Sequence, residues 1–245
     1  MPPVPKPPAA KKGRNRTLVI AVAAAGLVAV ALIAGSILFT RDSGKGSVAT
    51  TTDSTNAAVS LVAGIPQKGT VLGNPEATVR MLQFEDFQCP ICKTYTDDAF
   101  PAIVEEYVRP GQVKVDFRGL AFIGPDSDKA LRIAVAAGFQ NKLWEVVGLL
   151  YENQGDENSG WVTDDLIDEI LAQVPGLDAA KVKADASSAA VTKEISAVQA
   201  EATALKVEGT PAFFLGIGLN QLYGIQPQSL TPSAFRPALD DALKG

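Results

Sequence analysis

The sequence predicts an α/β fold: a β-α-β half, a helical insertion, and a β-β-α half, preceded by one N-terminal apolar helix. Three observations lead there. Residues 18–39 are an uncharged run of 22 residues, long enough to cross a bilayer as a helix. Beyond residue 61, segments rich in β-formers alternate with segments whose apolar residues recur at helical spacing. Between the strand-like segments lies a stretch of helical pattern from about Asp126 to Leu205.

Residues 1–17 are rich in Pro, Lys and Arg and are expected to be a disordered tail. A cleaved signal peptide is the alternative for 18–39, but its apolar core runs to only about 7–15 residues and ends at a small-residue cleavage site, which is absent here. The run therefore reads as an uncleaved signal anchor. The basic cluster before it keeps the tail in the cytoplasm and everything after Arg41 outside. Residues 40–61 read as a Ser/Thr/Gly-rich linker, and 62–245 as the folded domain, with the helical insertion at about 121–205.

Within that domain, Thr78–Phe87 is a strand running into Cys89, and Tyr95–Val108 a helix kinked at Pro101. Val113–Phe117 is a strand with Val113, Val115 and Phe117 inward and Lys114 and Asp116 outward. The insertion should break at Asn153–Gly160 and Pro175–Gly176, with Thr163 and Asp178 as helix N-caps. Ala212–Leu215 and Gln221–Tyr223 read as a short hairpin. A last helix, capped at Thr231 with Pro232 in its first turn, places Phe235, Leu239 and Leu243 on one face.

Composition excludes several chemistries. The chain has 47% hydrophobic and 20% charged residues and a net charge of −5. Residues 1–40 carry +5 and no acid, so the rest carries −10, which argues against nucleic-acid binding. No histidine exists, which removes Ser-His and Cys-His catalysis and imidazole metal sites. The only two cysteines, Cys89 and Cys92, lie in Cys89-Pro90-Ile91-Cys92, where a strand hands over to a helix.

A dithiol switch needs that placement. At a helix start the free N–H groups and the macrodipole favour a thiolate at Cys89, and Pro90 gives up an N–H that had no partner. Cys89 should be exposed to attack or release substrate, and Cys92, one turn in, is near enough to close a disulfide and resolve a mixed one. Half a zinc site, an inert bridge, or two unrelated core cysteines are the bland alternatives. The first lacks further ligands, and the second closes too short a loop to remove much unfolded-state entropy. The Gly209-Thr210-Pro211 segment before the apolar run Ala212–Leu215 is, alone, an ordinary helix stop.

Taken together, FEDFQCPICK (84–93), AAGFQNKLWEVVGLLYENQ (136–154) and VEGTPAFFLG (207–216) resemble, in order, three blocks of DsbA-like thioredoxin-fold proteins. The resemblance covers about residues 62–245. It implies a thioredoxin-like fold with a helical cap and a membrane-anchored, extracytoplasmic thiol–disulfide oxidoreductase without a cofactor. It further implies a redox-active pair at Cys89 and Cys92, and a cis-proline loop at Thr210 and Pro211 that binds extended substrate. The clients would be exported proteins with cysteines, and the reoxidant a quinone-linked membrane oxidase of the DsbB or VKOR type. Oxidising members carry histidine between their cysteines. Ile91 stands there instead, leaving the helix terminus and Lys93 to favour the thiolate and implying a milder oxidant.

Other features are ordinary on their face. Glu85 and Asp86 read as a solvated strand edge, with a proton relay to the buried cysteine as the alternative. Trp144 with Leu143, Val147, Leu150 and Tyr151 reads as a core stripe rather than a peptide-binding face. Asp156, Asn158 and Gly160 read as a polar loop, since the calcium-loop ligand pattern is not reproduced. Rival functions are a disulfide reductase or isomerase, and a non-enzymatic tethered module with a structural bridge.

Overall fold

A computed structural model of the protein describes residues 56–218 and 222–244. The expected tail, membrane span and most of the linker, residues 1–55, lie outside the described residues. Among the described residues no helix is long and apolar enough to cross a membrane.

The first element departs from expectation. Residues 57–61, expected in the linker, belong to helix α1 (Ala57–Val62), which buries Val59 and Val62. The Asn56 side chain caps it, accepting from the Ala58 N–H at 2.8 Å. The helix packs against α5 (Leu143–Glu152). Gly148 permits that approach, because a Cβ there would lie 2.7 Å from the Ala58 Cβ. A six-residue helix is marginal alone and exists through this packing.

Two short strands, β1 (Gln67–Lys68) and β2 (Val71–Leu72), lead into β3 (Val79–Asp86). Helix α2 (Pro90–Asp98) follows, then α3 (Phe100–Ile103), which continues into a π-helical turn over Val104–Val108. The expected single helix thus divides, with Pro101 in the first turn of its second part. Strand β4 (Val113–Leu120) runs parallel to β3. The cap comprises α4 (Pro125–Gly138), α5, α6 (Asp164–Ala172), α7 (Ala179–Asp185) and α8 (Ala189–Ala204). Strands β5 (Ala212–Ile217) and β6 (Tyr223–Ile225) and helix α9 (Pro232–Lys244) close the fold. The sheet order is β1-β2-β4-β3-β5-β6, with β3 parallel to β4 and antiparallel to β5.

Thr163 and Asp178 cap α6 and α7 as expected, accepting from Leu166 N–H at 3.1 Å and Lys181 N–H at 2.9 Å. Two further breaks, at residues 139–142 and 186–188, were not expected. Asn141 adopts a positive φ of 57° at the first, and Ser188 caps α8 after the second. The second strand of the hairpin lies two residues further on than expected, with Tyr223 opposite Leu215.

Both faces of the sheet are covered. Met81, Val115, Phe117 and Phe213 join the large core with Tyr95, Phe100, Trp144 and Phe235. Leu82, Phe84 and Leu120 form a smaller core with Val198 and Ala202 of α8. That second cover overturns the solvent-facing placement of Asp116, which is 1% exposed. Its carboxylate accepts from Thr70 Oγ1 at 2.7 Å and Arg80 Nε at 2.9 Å, and Arg118 lies 3.1 Å away. A buried charge persists only when so paired. Trp144, 1% exposed and stacked on Phe100, is core as expected.

Candidate functional site

Strand β3 ends at Asp86, and the turn over Phe87–Gln88 delivers Cys89 as the N-cap of α2, in extended conformation with Pro90 first in the helix. The Cys89 N–H bonds the Asp86 carbonyl at 3.0 Å, and the Cys89 carbonyl accepts from Lys93 N–H at 3.2 Å. Gln154, just past the end of the cap's second helix, donates to the carbonyls of Phe87 (2.7 Å) and Cys89 (3.1 Å). Backbone groups that would be orphaned at the turn are thereby satisfied.

The Thr210–Pro211 peptide is cis, and the Thr210 carbonyl oxygen lies 3.4 Å from Cys89 Sγ. All four residues singled out in the sequence therefore meet at one place: Cys89 and Cys92 on α2, Thr210 and Pro211 on the loop before β5. Beside them Ile91, Thr210, Pro211 and Gln226 line a cleft of about 480 Å³. Cys89 is less open than expected, keeping 7% of its surface, because that loop and Gln154 crowd it; Cys92 keeps none.

The two thiols differ in acidity. Cys89 is lowered to about 6, chiefly because the Cys92 thiol hydrogen-bonds to it. Partial burial opposes this, while Thr210 and the backbone N–H groups of Cys92 and Ile91 add to it. Thr210 acts in two senses: its side chain favours the thiolate, whereas its carbonyl can only accept from the protonated thiol. The helix-terminus contribution expected from sequence is present but is not the largest. Lys93 is committed elsewhere, donating to Asp97 at 2.8 Å. Cys92 is pushed far up, first by burial, then by its bond to Cys89 and the nearby Glu85.

Glu85 and Asp86 are both fully buried, which overturns the solvated-edge reading. β5 stops pairing at Phe84, but β4 continues opposite both residues, and the groups that close over them are Tyr151 and Thr96 near Glu85 and the 122–127 segment at Asp86. Glu85 is raised to about 8, first by burial. Its Oε1 accepts from Gln83 Nε2 at 2.7 Å, and Gln83 Oε1 in turn accepts from Tyr95 Oη at 2.9 Å. Its Oε2 makes no well-formed hydrogen bond, although the Tyr151 and Thr96 hydroxyls are near enough to pull the acid down against burial.

Asp86 ties the active turn to the cap. Its carboxylate accepts from Gln88 N–H (2.9 Å), Ser127 Oγ (2.5 Å), and the N–H groups of Phe122 (3.0 Å) and Ile123 (3.3 Å). Gln88 reaches across as well, accepting from Asn158 N–H at 2.5 Å. The Asp156–Gly160 loop thus spends its polar groups on the protein, with Gly160 N–H also bonding Asp126 at 2.8 Å. Sequence reasoning missed Asp86, Gln88 and Gln154 as site supports. All three lie inside the resembling blocks, Asp86 and Gln88 in 84–93 and Gln154 in 136–154, but nothing local announces their bonds across the chain.

The chain that carries this dithiol, opposed by a cis Thr-Pro peptide under a helical cap, is similar to known proteins. The thioredoxin family profile matches residues 66–240. The chain belongs to the thioredoxin family. Within it, the chain is similar to "Probable disulfide bond formation protein D" of Bacillus cereus, with 33% identity over 147 residues, 59% of this chain and 68% of the relative. Among solved structures it resembles BdbD from Bacillus subtilis in its oxidised form, at TM-score 0.63 and 22% identity, over 74% of this chain and 98% of that one. A thioredoxin-like oxidoreductase from Silicibacter pomeroyi matches at TM-score 0.56 and 27% identity, over 78% of this chain and 99% of that one. This thioredoxin-family protein is a thiol–disulfide oxidoreductase, and its fold with the helical insertion matches that of solved DsbA structures.

Proposed function

We propose that the protein oxidises cysteines of exported client proteins through a Cys89–Cys92 disulfide, outside the cytoplasm, tethered by the apolar run at 18–39. The observation that carries this reading is the asymmetry of the pair: a thiolate-favouring Cys89 facing Thr210–Pro211, above a Cys92 held as thiol. A stabilised thiolate favours the reduced enzyme, which makes its disulfide the better oxidant. The name of the Bacillus cereus relative, a disulfide bond formation protein, points the same way.

A client thiolate attacks Cys89 Sγ, the Cys89–Cys92 bond breaks, and Cys92 leaves as a thiolate that takes a proton from Glu85. The client's second thiolate then attacks its own sulfur in the mixed disulfide, and Cys89 departs as a thiolate. The client loses two electrons and the enzyme pair gains them. Glu85, raised to about 8, is protonated at neutral pH and so is loaded for the first step. Thr210 and Pro211 hold the client strand by backbone pairing, the usual way an extended peptide is gripped. Reoxidation falls to a quinone-linked membrane oxidase of the DsbB or VKOR type.

The test sets two assays side by side on the full-length chain in detergent: oxidative refolding of a reduced client, and reduction of insulin. Faster refolding with negligible insulin reduction supports the oxidase. Efficient insulin reduction overturns it in favour of the reductase or isomerase.

A further inference from the structure

Oxidation and reduction of the pair require a proton to enter and leave at Cys92, yet neither Cys92 nor Glu85 has any exposed surface. The groups around Glu85 limit the routes. From α2 come Cys92, Tyr95 and Thr96, with Cys89 at its N-cap; from α5, Tyr151; from β3, Gln83. Cys89 faces Thr210 and the client cleft, and its sulfur is occupied while a mixed disulfide stands. Tyr95 and Tyr151 are fully buried, and burial holds both phenols well above their ordinary range. Gln83 and Thr96 differ. Both line a cavity of about 590 Å³ between α1, the α2–α3 segment and α5.

The walls of that cavity are largely apolar, from Leu61, Phe100, Trp144 and Val147, and its mouth is acidic, with Asp97, Glu105 and Glu152. Those three carboxylates already engage Lys93, Arg109 and Asn56. No residue of the Thr210–Pro211 loop contributes to it. A bound client would therefore leave it open. At its inner end an amide and a hydroxyl offer water the polar partners it needs. An amide cannot pass a proton on without changing tautomer, whereas a hydroxyl donates and accepts at once. Glu85 Oε2, fully buried, has no well-formed bond of its own.

We propose that Glu85 exchanges its proton with solvent through the Thr96 hydroxyl and this cavity, a port separate from the cleft where clients bind. The inference deepens the reading of Glu85 as proton partner of Cys92 and rests on it. When Cys92 attacks the mixed disulfide at Cys89, its proton passes to the Glu85 carboxylate, the Cys89–partner bond breaks, and the partner leaves as a thiolate. Glu85 then passes the proton to Thr96, which releases its own to cavity water. Thr96 is a positioning residue for this transfer, since it touches neither sulfur.

The experiment uses the full-length chain in detergent, with Cys89 loaded as a glutathione mixed disulfide. The rate at which Cys92 resolves it is followed by acid quench and mass spectrometry across pH. In the parent the rate should rise through about 8 as Glu85 ionises. Glu85→Gln should slow it by about 100-fold, the low end for a positioned acid–base group, and remove that pH dependence. Thr96→Val should slow it by about tenfold, and Thr96→Ser, which keeps the hydroxyl, should restore it. Ala57→Trp, an exposed substitution at the cavity wall, should slow it without touching the site. The equilibrium with glutathione should stay put in the Thr96 and Ala57 variants, because a route changes rates and not end states. If Glu85→Gln is slow while Thr96→Val and Ala57→Trp keep the parental rate, the port is wrong and the proton partner stands. If Glu85→Gln resolves as fast as the parent, the proton-partner reading itself fails. Equal slowing in Thr96→Val and Thr96→Ser would mark Thr96 as structural and overturn the port.

Discussion

The first turn of α2 and the interior directly beneath it treat the same chemical group in opposite ways. At the turn, Cys89 meets a donated thiol hydrogen, the Thr210 side chain and free backbone N–H groups, and its acidity rises until it titrates at about 6. One helical turn down, Cys92 is fully buried, and burial, its bond to Cys89 and the nearby Glu85 drive its pKa far upward. Three residues of sequence separate a sulfur that ionises from one that does not. Burial costs the charged form wherever compensation is missing, and here compensation is confined to the helix end. The pair is also reciprocal: the bond that helps Cys89 lose its proton is the bond that makes Cys92 keep its own.

The most severe way to break that contrast is to delete either sulfur. Cys89→Ala should abolish exchange with clients. Cys92→Ala should keep the attacking sulfur but strand it, so that mixed disulfides through Cys89 accumulate on non-reducing gels. It should also move the Cys89 pKa up from about 6, since the Cys92 thiol is the first cause of its lowering. Titration by ultraviolet thiolate absorbance reads this directly. An unmoved pKa in Cys92→Ala would assign the effect to the helix terminus instead.

A second test removes the acid under Cys92. Glu85 binds its proton more tightly folded than unfolded, because its pKa rises from 4.5 to about 8. The stability this contributes is complete below 4.5 and is lost as pH climbs through 8. The loss should be of order 2–5 kcal/mol. Glu85→Gln should flatten that dependence and be the more stable protein at pH 9 in urea unfolding. A parental slope retained by the variant would mean that Glu85 does not stay neutral inside.

A third test loosens the frame that holds both regions. In Asp86→Asn one of the acceptor oxygens becomes an N–H₂ group facing donors from Phe122 and Ile123 or from Ser127 and Gln88. Stranding buried donors costs about 1–3 kcal/mol. Thermal unfolding should record that loss. Unchanged stability would show the hub to be dispensable.

The sequence made some of this visible and hid the rest for a physical reason. The Cys89-Pro90-Ile91-Cys92 turn and the caps at Thr163 and Asp178 are local features, set by residues next to one another, and each is where its pattern put it. What stayed hidden depends on a second layer. Asp116 alternates outward along its strand, and nothing in the strand tells that α8 covers that face. Glu85 and Asp86 read as an edge because the groups that bury them, Tyr151 and the 122–127 segment, belong to the cap and lie far along the chain. Ala57–Val62, at six residues, is too short to announce a helix until Gly148 gives it a place to pack. Gln154 and Asn158 support the cysteine turn across more than sixty residues of chain.

The mildest perturbation concerns the residue between the cysteines. Ile91 is 52% exposed and offers no hydrogen bond, so every favourable contact at Cys89 comes from Cys92, Thr210 and backbone. In Ile91→His an imidazole replaces an aliphatic side chain at the rim of the thiolate. A donor there should lower the Cys89 pKa further and stabilise the reduced pair. For a two-electron couple each 1.4 kcal/mol of such stabilisation is about 30 mV, so the variant should be more oxidising by about that much. Equilibration with glutathione, read by mass spectrometry, gives the difference directly. A potential that does not move would mean that residue 91 points away from the sulfur, and that the parent's oxidising strength is set wholly by Cys92 and the Thr210 loop.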